Sequence, residues 1–296
     1  AYHEEAKGKE TGLIVGDVIT SINGKTVDDI VQEQLYLTPA SNYPTKLRNI
    51  ARQLLRTNEA TMELEFLRDG TVNNVTVDTY AKNDIHLNSY YDNMDTSFRM
   101  IDDDIAYINH GSLQIDHLPE IWKKIEGTKG LIIDDRNYPS DFPIDQFSAL
   151  LMPKKMPFVK FSKGSVTHPG YFTFTKPSFV GKRKNNNYYK GKVIILVNEV
   201  SQSSSEFHAM GYRVHPNALV IGSTTAGADG DISRFMLPGN IPTAISGIGV
   251  YYPDGEETQR IGIVPDIECK PTIQGVKEGR DEVLEKALEM IRTDQH

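Results

Sequence analysis

The run Lys192-Val193-Ile194-Ile195-Leu196-Val197-Asn198-Glu199-Val200-Ser201-Gln202-Ser203-Ser204-Ser205-Glu206 changes character in mid-course. Val193 to Val197 is continuously apolar, as a strand is when both faces of its sheet are covered, and the polar residues after it lead into helix-sized sequence from Ser204 to Val214. Three further runs repeat the pattern: Ile105 to Ile108, Gly130 to Ile133 and Ala218 to Ile221. Helix-sized segments lie between and beyond them, from Leu118 to Ile125 and from Asp281 to Ile291, the last with Val283, Leu284, Ala287, Leu288 and Ile291 on one face and Asp281 placed as its cap. Short buried strands alternating with helices give an α/β fold with a mostly parallel sheet over residues 105–296.

Upstream the periodicity is different. Residues 1–80 read as a small β-rich domain. Asp17 to Ile22 is a strand closed by Asn23-Gly24, and a second hairpin sets Met62, Leu64 and Phe66 against Val72, Val75 and Val77 across an Asp69-Gly70 turn. Between the hairpins, Leu47 to Leu55 has the spacing of a short helix with Leu47, Ile50 and Leu54 inward. Residues 81–104 have no steady period and read as a linker. Its closing Asp102-Asp103-Asp104 lacks the partner spacing of a calcium loop and is read as solvated acid, so no metal is expected.

The bulk composition restricts function. A chain of 296 residues with 39% hydrophobic and 24% charged residues is an ordinary globular protein, with no apolar run long enough for a membrane span. A net charge of -8 argues against nucleic-acid binding. From Leu150 to Lys192, however, there are ten Lys or Arg and no Asp or Glu, leaving about -18 on the rest. That stretch reads as a solvated loop or hairpin, or as a holder of acidic substrate. Cys269 stands alone, so an internal disulfide is ruled out. The opening residues, from Ala1, read like the middle of a domain, consistent with a mature or trimmed chain.

In parallel sheets the working residues gather past the carboxyl ends of the strands. The four loops there are Asn109-His110-Gly111, Asp135 to Ser140, Ser201 to Glu206 and Thr224 to Asp229. A serine between a buried strand and the first helical turn sits where the helix dipole favours negative charge and where the next backbone N–H can donate to an oxyanion. Serine is also common there as a cap, but one cap does not need four serines in five positions. The G-x-S-x-G elbow of α/β-hydrolases is absent. Gly222 to Gly227 has phosphate-loop spacing but is followed by Ala228-Asp229 in place of Lys-Ser/Thr, which excludes a nucleotide site.

Ser201-Gln202-Ser203-Ser204-Ser205-Glu206 resembles the S-A-S-A-S-E motif of tail-specific (C-terminal processing) peptidases of the S41 type. Gly130-Leu131-Ile132-Ile133-Asp134-Asp135-Arg136-Asn137-Tyr138-Pro139 is similar to that family's G-L-I-L-D-L-R-x-N-P. Gly249 to Gly255 with Gly262-Ile263-Val264-Pro265-Asp266 is similar to its Y-x-P-x-G and G-I-x-P-D, and Gly12 to Ile19 resembles the G-L-x-x-G-D-x-I of a PDZ domain. The resemblance implies a ClpP/crotonase-like sheet after an N-terminally incomplete PDZ-like domain. It also implies Ser203 as nucleophile, oxyanion donors from the backbone of Ser204 and Ser140, a polypeptide substrate cut in unstructured or C-terminal segments, no cofactor, and a periplasmic, secreted or membrane-anchored location.

One feature departs from the family. The position of its general-base lysine, twenty-five residues after the serine, is Ala228, and the accompanying glutamine position is Ile232. An unassisted serine hydroxyl is a weak nucleophile, so either another base serves or the protein binds peptides without cutting them. His110 is a candidate base, His208 a weaker one, and Asp229 a candidate either to act directly or to orient an imidazole.

Overall fold

The computed structural model describes residues 11–81, 84 and 96–293. Contacts divide the chain into two units, one reaching to Asp92 and including Pro271–Glu282, the other comprising Asn93–Lys270 and Val283–His296.

In the first unit, β1 (Val18–Ile22) and β2 (Lys25–Thr26) are joined by Asn23 and Gly24, both at positive φ, the conformation that tight hairpins require. Two helices follow, α1 (Val27–Leu37) and α2 (Tyr43–Ala51), then the hairpin β3 (Thr61–Arg68) and β4 (Thr71–Asp78). The sheet order is β2-β1-β3-β4, all antiparallel. Met62, Leu64 and Phe66 are buried with Leu13 and Ile22 as expected, and Val75 and Val77 pack on them, but Val72 is exposed. Helix α1 buries no residue fully, so it leaves little apolar periodicity to read; Thr26 caps it by accepting the Asp29 N–H at 3.1 Å.

In the second unit, β5 (Phe98–Asp102) and β6 (Ile105–Asn109) form an antiparallel pair. Most of the 81–104 segment read as a linker lies outside the described residues. Its end corrects that reading: Phe98 and Met100 pack on the core, and Arg99 lies over the Tyr107 ring. After β6 come α3 (Leu118–Ile125), β7 (Gly130–Asp134) and α4 (Ile144–Leu151). The basic stretch supplies β8 (Met156–Gly164), β9 (Phe172–Phe174) and β10 (Ser178–Val180). Then follow β11 (Lys192–Val197), α5 (Ser204–Tyr212), β12 (Ala218–Gly222), the hairpin β13 (Ile232–Leu237) with β14 (Ile241–Ser246), β15 (Val250–Tyr251) and β16 (Ile267–Glu268). Helix α6 (Ile273–Glu278) belongs with the first unit, while α7 (Glu282–Thr293) packs on the large sheet of the second.

The large sheet runs β16-β12-β11-β7-β6-β5, parallel except for β5. Its strands alternate between two cores. Ala106, Ile108, Leu131, Ile133, Ile195 and Val197 face α3, α4 and α5, while Ile105, Tyr107, Ile132, Ile194, Leu196 and Ile221 face Val283, Ala287 and Ile291 of α7. That double coverage explains why the strands read as continuous apolar runs. Helix α7 comes so close that a Cβ on Gly130 would lie 2.5 Å from Ile291 Cγ2. A smaller antiparallel sheet, β10-β8-β15 with β9 on β8, joins the three strands of the basic stretch to β15.

Candidate active site

Parallel strands in register carry their neighbouring ends to one edge. Val197 pairs with Gly222, Leu196 with Asp134 and Asn109 with Asp134, so the four loops nominated from sequence emerge side by side.

At the third loop the serines divide into different tasks. Ser201 is buried and its hydroxyl donates to the Asp135 carbonyl at 2.7 Å; Ser205, also buried, donates to the carbonyl of Asn137. Both fasten the start of α5 to the loop after β7. Ser203 and Ser204 stay partly exposed. Ser203 has φ 54° and ψ -114°, a conformation L-residues seldom adopt, which costs of order 1–3 kcal/mol and persists only where its surroundings enforce it.

Glu206 provides the enforcement. Its carboxylate is buried and accepts four hydrogen bonds: from the Ser203 N–H at 3.0 Å, the Thr225 hydroxyl at 2.5 Å, and the Gly227 and Ala228 N–H groups at 2.7 and 3.0 Å. Burial raises its pKa, and these four donors oppose the rise. The strained turn and the loop after β12 are thus tied through one side chain. Ala228 contributes its backbone N–H to this network. The Ser204 N–H, at the first turn of α5, is given to no acceptor among the described residues and is available to an oxyanion. Ser140 differs from expectation: its N–H is donated to the His110 carbonyl at 3.2 Å and its hydroxyl to the Leu113 carbonyl at 2.6 Å, so it braces the first loop and offers no free oxyanion donor in this conformation.

His110 and Asp135 follow adjacent paired strand ends, and their side chains meet. His110 Nδ1 lies 2.5 Å from Asp135 Oδ1, with both side chains wholly buried. Burial drives the two in opposite directions, His110 down to about 3 and Asp135 well above the usual carboxylate range. His110 Nε2 is 3.5 Å from the Tyr212 hydroxyl, whose own pKa burial raises, so that the phenol stays protonated. His208 packs edge-on against His110 at 4.5 Å between ring centroids. It donates Nδ1–H to the Ser204 carbonyl at 2.6 Å, which fixes its tautomer, and burial holds it neutral with a pKa of about 3. Its Nε2, Asp135 Oδ2 and Asn137 Oδ1 are buried with no hydrogen-bond partner among the described residues.

Asp229 does not orient either histidine. Its Oδ1 accepts the Gly230 N–H at 2.7 Å while Oδ2 is buried with no partner among the described residues; burial, with Glu206 and Asp231 nearby, raises its pKa to about 7. Asp135 is the acid that holds His110, and sequence reading missed that role although the signal was present: in a parallel sheet the residue after β6 lies beside the residue after β7. Among the described residues the Ser203 hydroxyl has no hydrogen bond to an ionisable side chain. The arrangement therefore holds a strained serine, a helix N-terminus and a buried His–Asp pair in adjacent loops, with His110 Nε2 turned toward Tyr212.

The family model of peptidase family S41 matches residues 104–269, just over half of the chain. The chain belongs to peptidase family S41. The S41 match takes in β6 to β16, hence all four loops. Among solved structures, mature CPAF complexed with lactacystin superposes with a TM-score of 0.73 at 13% identity, covering 96% of this chain and 78% of that one. A second structure of mature CPAF gives 0.73 at 15% identity, over 96% and 79% of the two chains. A crystal structure from Parabacteroides merdae, whose assignment as a peptidase is itself provisional, gives 0.59 at 18% identity, over 90% and 89%. At these identities the likeness establishes a shared S41 fold with its mostly parallel sheet. A search of curated proteins returns no match.

Proposed function

We propose that the chain is a serine endopeptidase in which Ser203 attacks the peptide carbonyl and His110, oriented by Asp135, takes its proton. The observation that carries this reading is the buried 2.5 Å contact between His110 Nδ1 and Asp135 Oδ1, one loop away from the serine whose backbone is held in strain. An ionised Asp135 accepting Nδ1–H leaves Nε2 unprotonated, which is the form a general base needs, and it stabilises the imidazolium formed as the serine proton arrives. The developing oxyanion takes the Ser204 N–H and the positive end of α5. In this reading the 3.5 Å contact between Nε2 and Tyr212 has to break before Nε2 can accept the serine proton. Family membership supports a polypeptide as substrate. Cleavage in unstructured or C-terminal segments, a PDZ-like role for the first unit and action outside the cytoplasm are part of the same proposal. No helix among the described residues is long and apolar enough to cross a membrane.

A second reading is a peptide-binding protein without turnover. It is favoured by the direction of His110 Nε2, toward Tyr212, and by Ala228 at the lysine position. A fluorophosphonate probe separates the two. The enzyme forms a covalent adduct at Ser203 that Ser203→Ala abolishes, whereas the pseudoenzyme leaves Ser203 unlabelled while still binding peptide.

A further inference from the structure

The basic stretch takes no part in the catalytic geometry, yet it forms a definite surface. An open groove of about 980 Å³ is lined by Lys154, Arg183, Lys184 and Lys190, with Asn186 and Tyr188 between them. All four cations are exposed, and none has an acidic partner among the described residues. Some exposed cations elsewhere pair with carboxylates, as Lys129 does with Asp104 and Lys123 with Glu120, whereas Lys155, Lys163, Lys176 and Lys182 of the same basic stretch have no such partner among the described residues; what sets the groove apart is that its four cations surround one concavity. Four like charges around one concavity repel each other unless an anion lies between them.

The groove is built on fixed supports. Asn185 Nδ2 donates to the Ala149 and Met152 carbonyls at 3.0 and 3.2 Å, at the carboxyl end of α4, and the Asn185 N–H donates to the Pro153 carbonyl at 2.9 Å. These bonds hold the Arg183-Lys184 segment against Lys154. On the other side Asn217 Nδ2 donates to the Lys190 carbonyl at 2.9 Å, and Tyr189 is buried with its hydroxyl 2.9 Å from that of Thr128. The cations are thus presented by an ordered backbone, which reduces the entropy lost on binding.

We infer that this groove is an exosite for an acidic segment of the polypeptide substrate, an inference that rests on the peptidase reading of Ser203. Its position sets the geometry. Lys190 and Lys192 lead into β11 and Ser203 follows its other end, so the six residues of β11 set the groove about 20 Å from the nucleophile along the strand. A chain passing from one to the other needs at least about six extended residues and more if it follows the surface. The acidic run therefore lies well away from the bond that is cut. A nucleic acid fits less well, because the negative charge elsewhere on the protein repels a long polyanion while a short acidic run meets only the groove.

The test uses the Ser203→Ala protein, so that binding is read without cleavage, and fluorescence anisotropy of a labelled oligoglutamate peptide against a neutral Gly-Ser peptide. Binding should be specific to oligoglutamate and weaken with added salt, and it should fall about tenfold when two attractive contacts become repulsive in Arg183→Glu/Lys184→Glu. Lys163→Glu/Lys176→Glu makes the same charge change outside the groove and should leave binding within about twofold. Equal losses in both variants, salt-insensitive binding in the Ser203→Ala protein, or tighter binding of an RNA oligonucleotide or of tripolyphosphate than of oligoglutamate would overturn the exosite. The salt dependence decides the matter even if the double variant does not fold. In the active protein, joining an acidic run to a cleaved peptide should lower KM with kcat unchanged. Failure of fluorophosphonate labelling would instead count against the peptidase reading while leaving the binding result intact.

Discussion

Replacing Asp135 by Asn removes one negative charge and changes almost no volume, and its consequences for activity and stability should run in opposite directions. In the proposed reaction, Ser203 attack makes His110 an imidazolium whose nearest countercharge is Asp135, at an Nδ1 to Oδ1 distance of 2.5 Å. With charge centres about 4 Å apart and an effective dielectric of about 20, that attraction is about 4 kcal/mol, or roughly a thousandfold in rate. The fold does not need the charge. Burial raises Asp135 above the usual carboxylate range, and Oδ2 has no partner among the described residues. An acid whose pKa is higher folded than unfolded binds its proton more tightly in the folded state, so its contribution to stability is lost as pH rises from the ordinary carboxylate range through the raised folded value. The asparagine has no such loss. The variant should therefore melt at or above the wild-type temperature at neutral pH, with a difference that shrinks toward acid pH, while fluorophosphonate labelling of Ser203 slows about a thousandfold. The assay pairs labelling kinetics with thermal melts over a pH series. Labelling at the wild-type rate would refute the assignment of Asp135 as the group that orients His110; a large loss of stability at neutral pH would refute the argument that its charge is a burden to the fold.

Other substitutions test separate links. Ser203→Gly should raise stability by about 1 kcal/mol, because glycine adopts positive φ without strain, whereas Ser203→Ala should not; both should abolish labelling, and equal melting temperatures would remove the claim of strain. Glu206→Gln turns an amide nitrogen toward two of the four donors that the carboxylate now satisfies, so a loss of about 3 kcal/mol and slower labelling are expected in chemical denaturation and probe assays. Gly130→Ala should cost about 1–3 kcal/mol by driving its methyl into Ile291, and Ile291→Val in the same chain should recover part of it; no loss in the single variant would contradict the close approach of α7.

The sequence carried the large sheet plainly because burial on both faces leaves strands such as Val193 to Val197 with no polar residue to blur them. It carried β5 poorly, since a five-residue edge strand, with Phe98 and Met100 packed on one core and Ile101 on the other, is too short to show a period. Helix α1 was missed for a similar reason, with no fully buried side chain. Chain order nominated the loops of Ser203 and His110, since both follow buried strands, and the resemblance of Ser201 to Glu206 to a family motif singled out Ser203 within its loop. The partner of His110 depends on which strands are neighbours and in what register; Asp229 was a candidate orienter from its place in the family motif, whereas the sheet sets Asp135 beside His110. Likewise Ser140 follows the right strand, but its N–H is spent on the His110 carbonyl, a contact that only folded loops define.

The most direct measurement of the central claim is the second-order rate of fluorophosphonate labelling at Ser203 against pH, for the wild-type protein and for His110→Gln. The wild-type rate should rise with pH as the His110 and Asp135 pair gives up its shared proton, through an ionisation above the ordinary aspartate range, and the His110→Gln rate should be about a thousandfold lower and independent of that ionisation. A wild-type rate unchanged by the loss of His110 would contradict that claim.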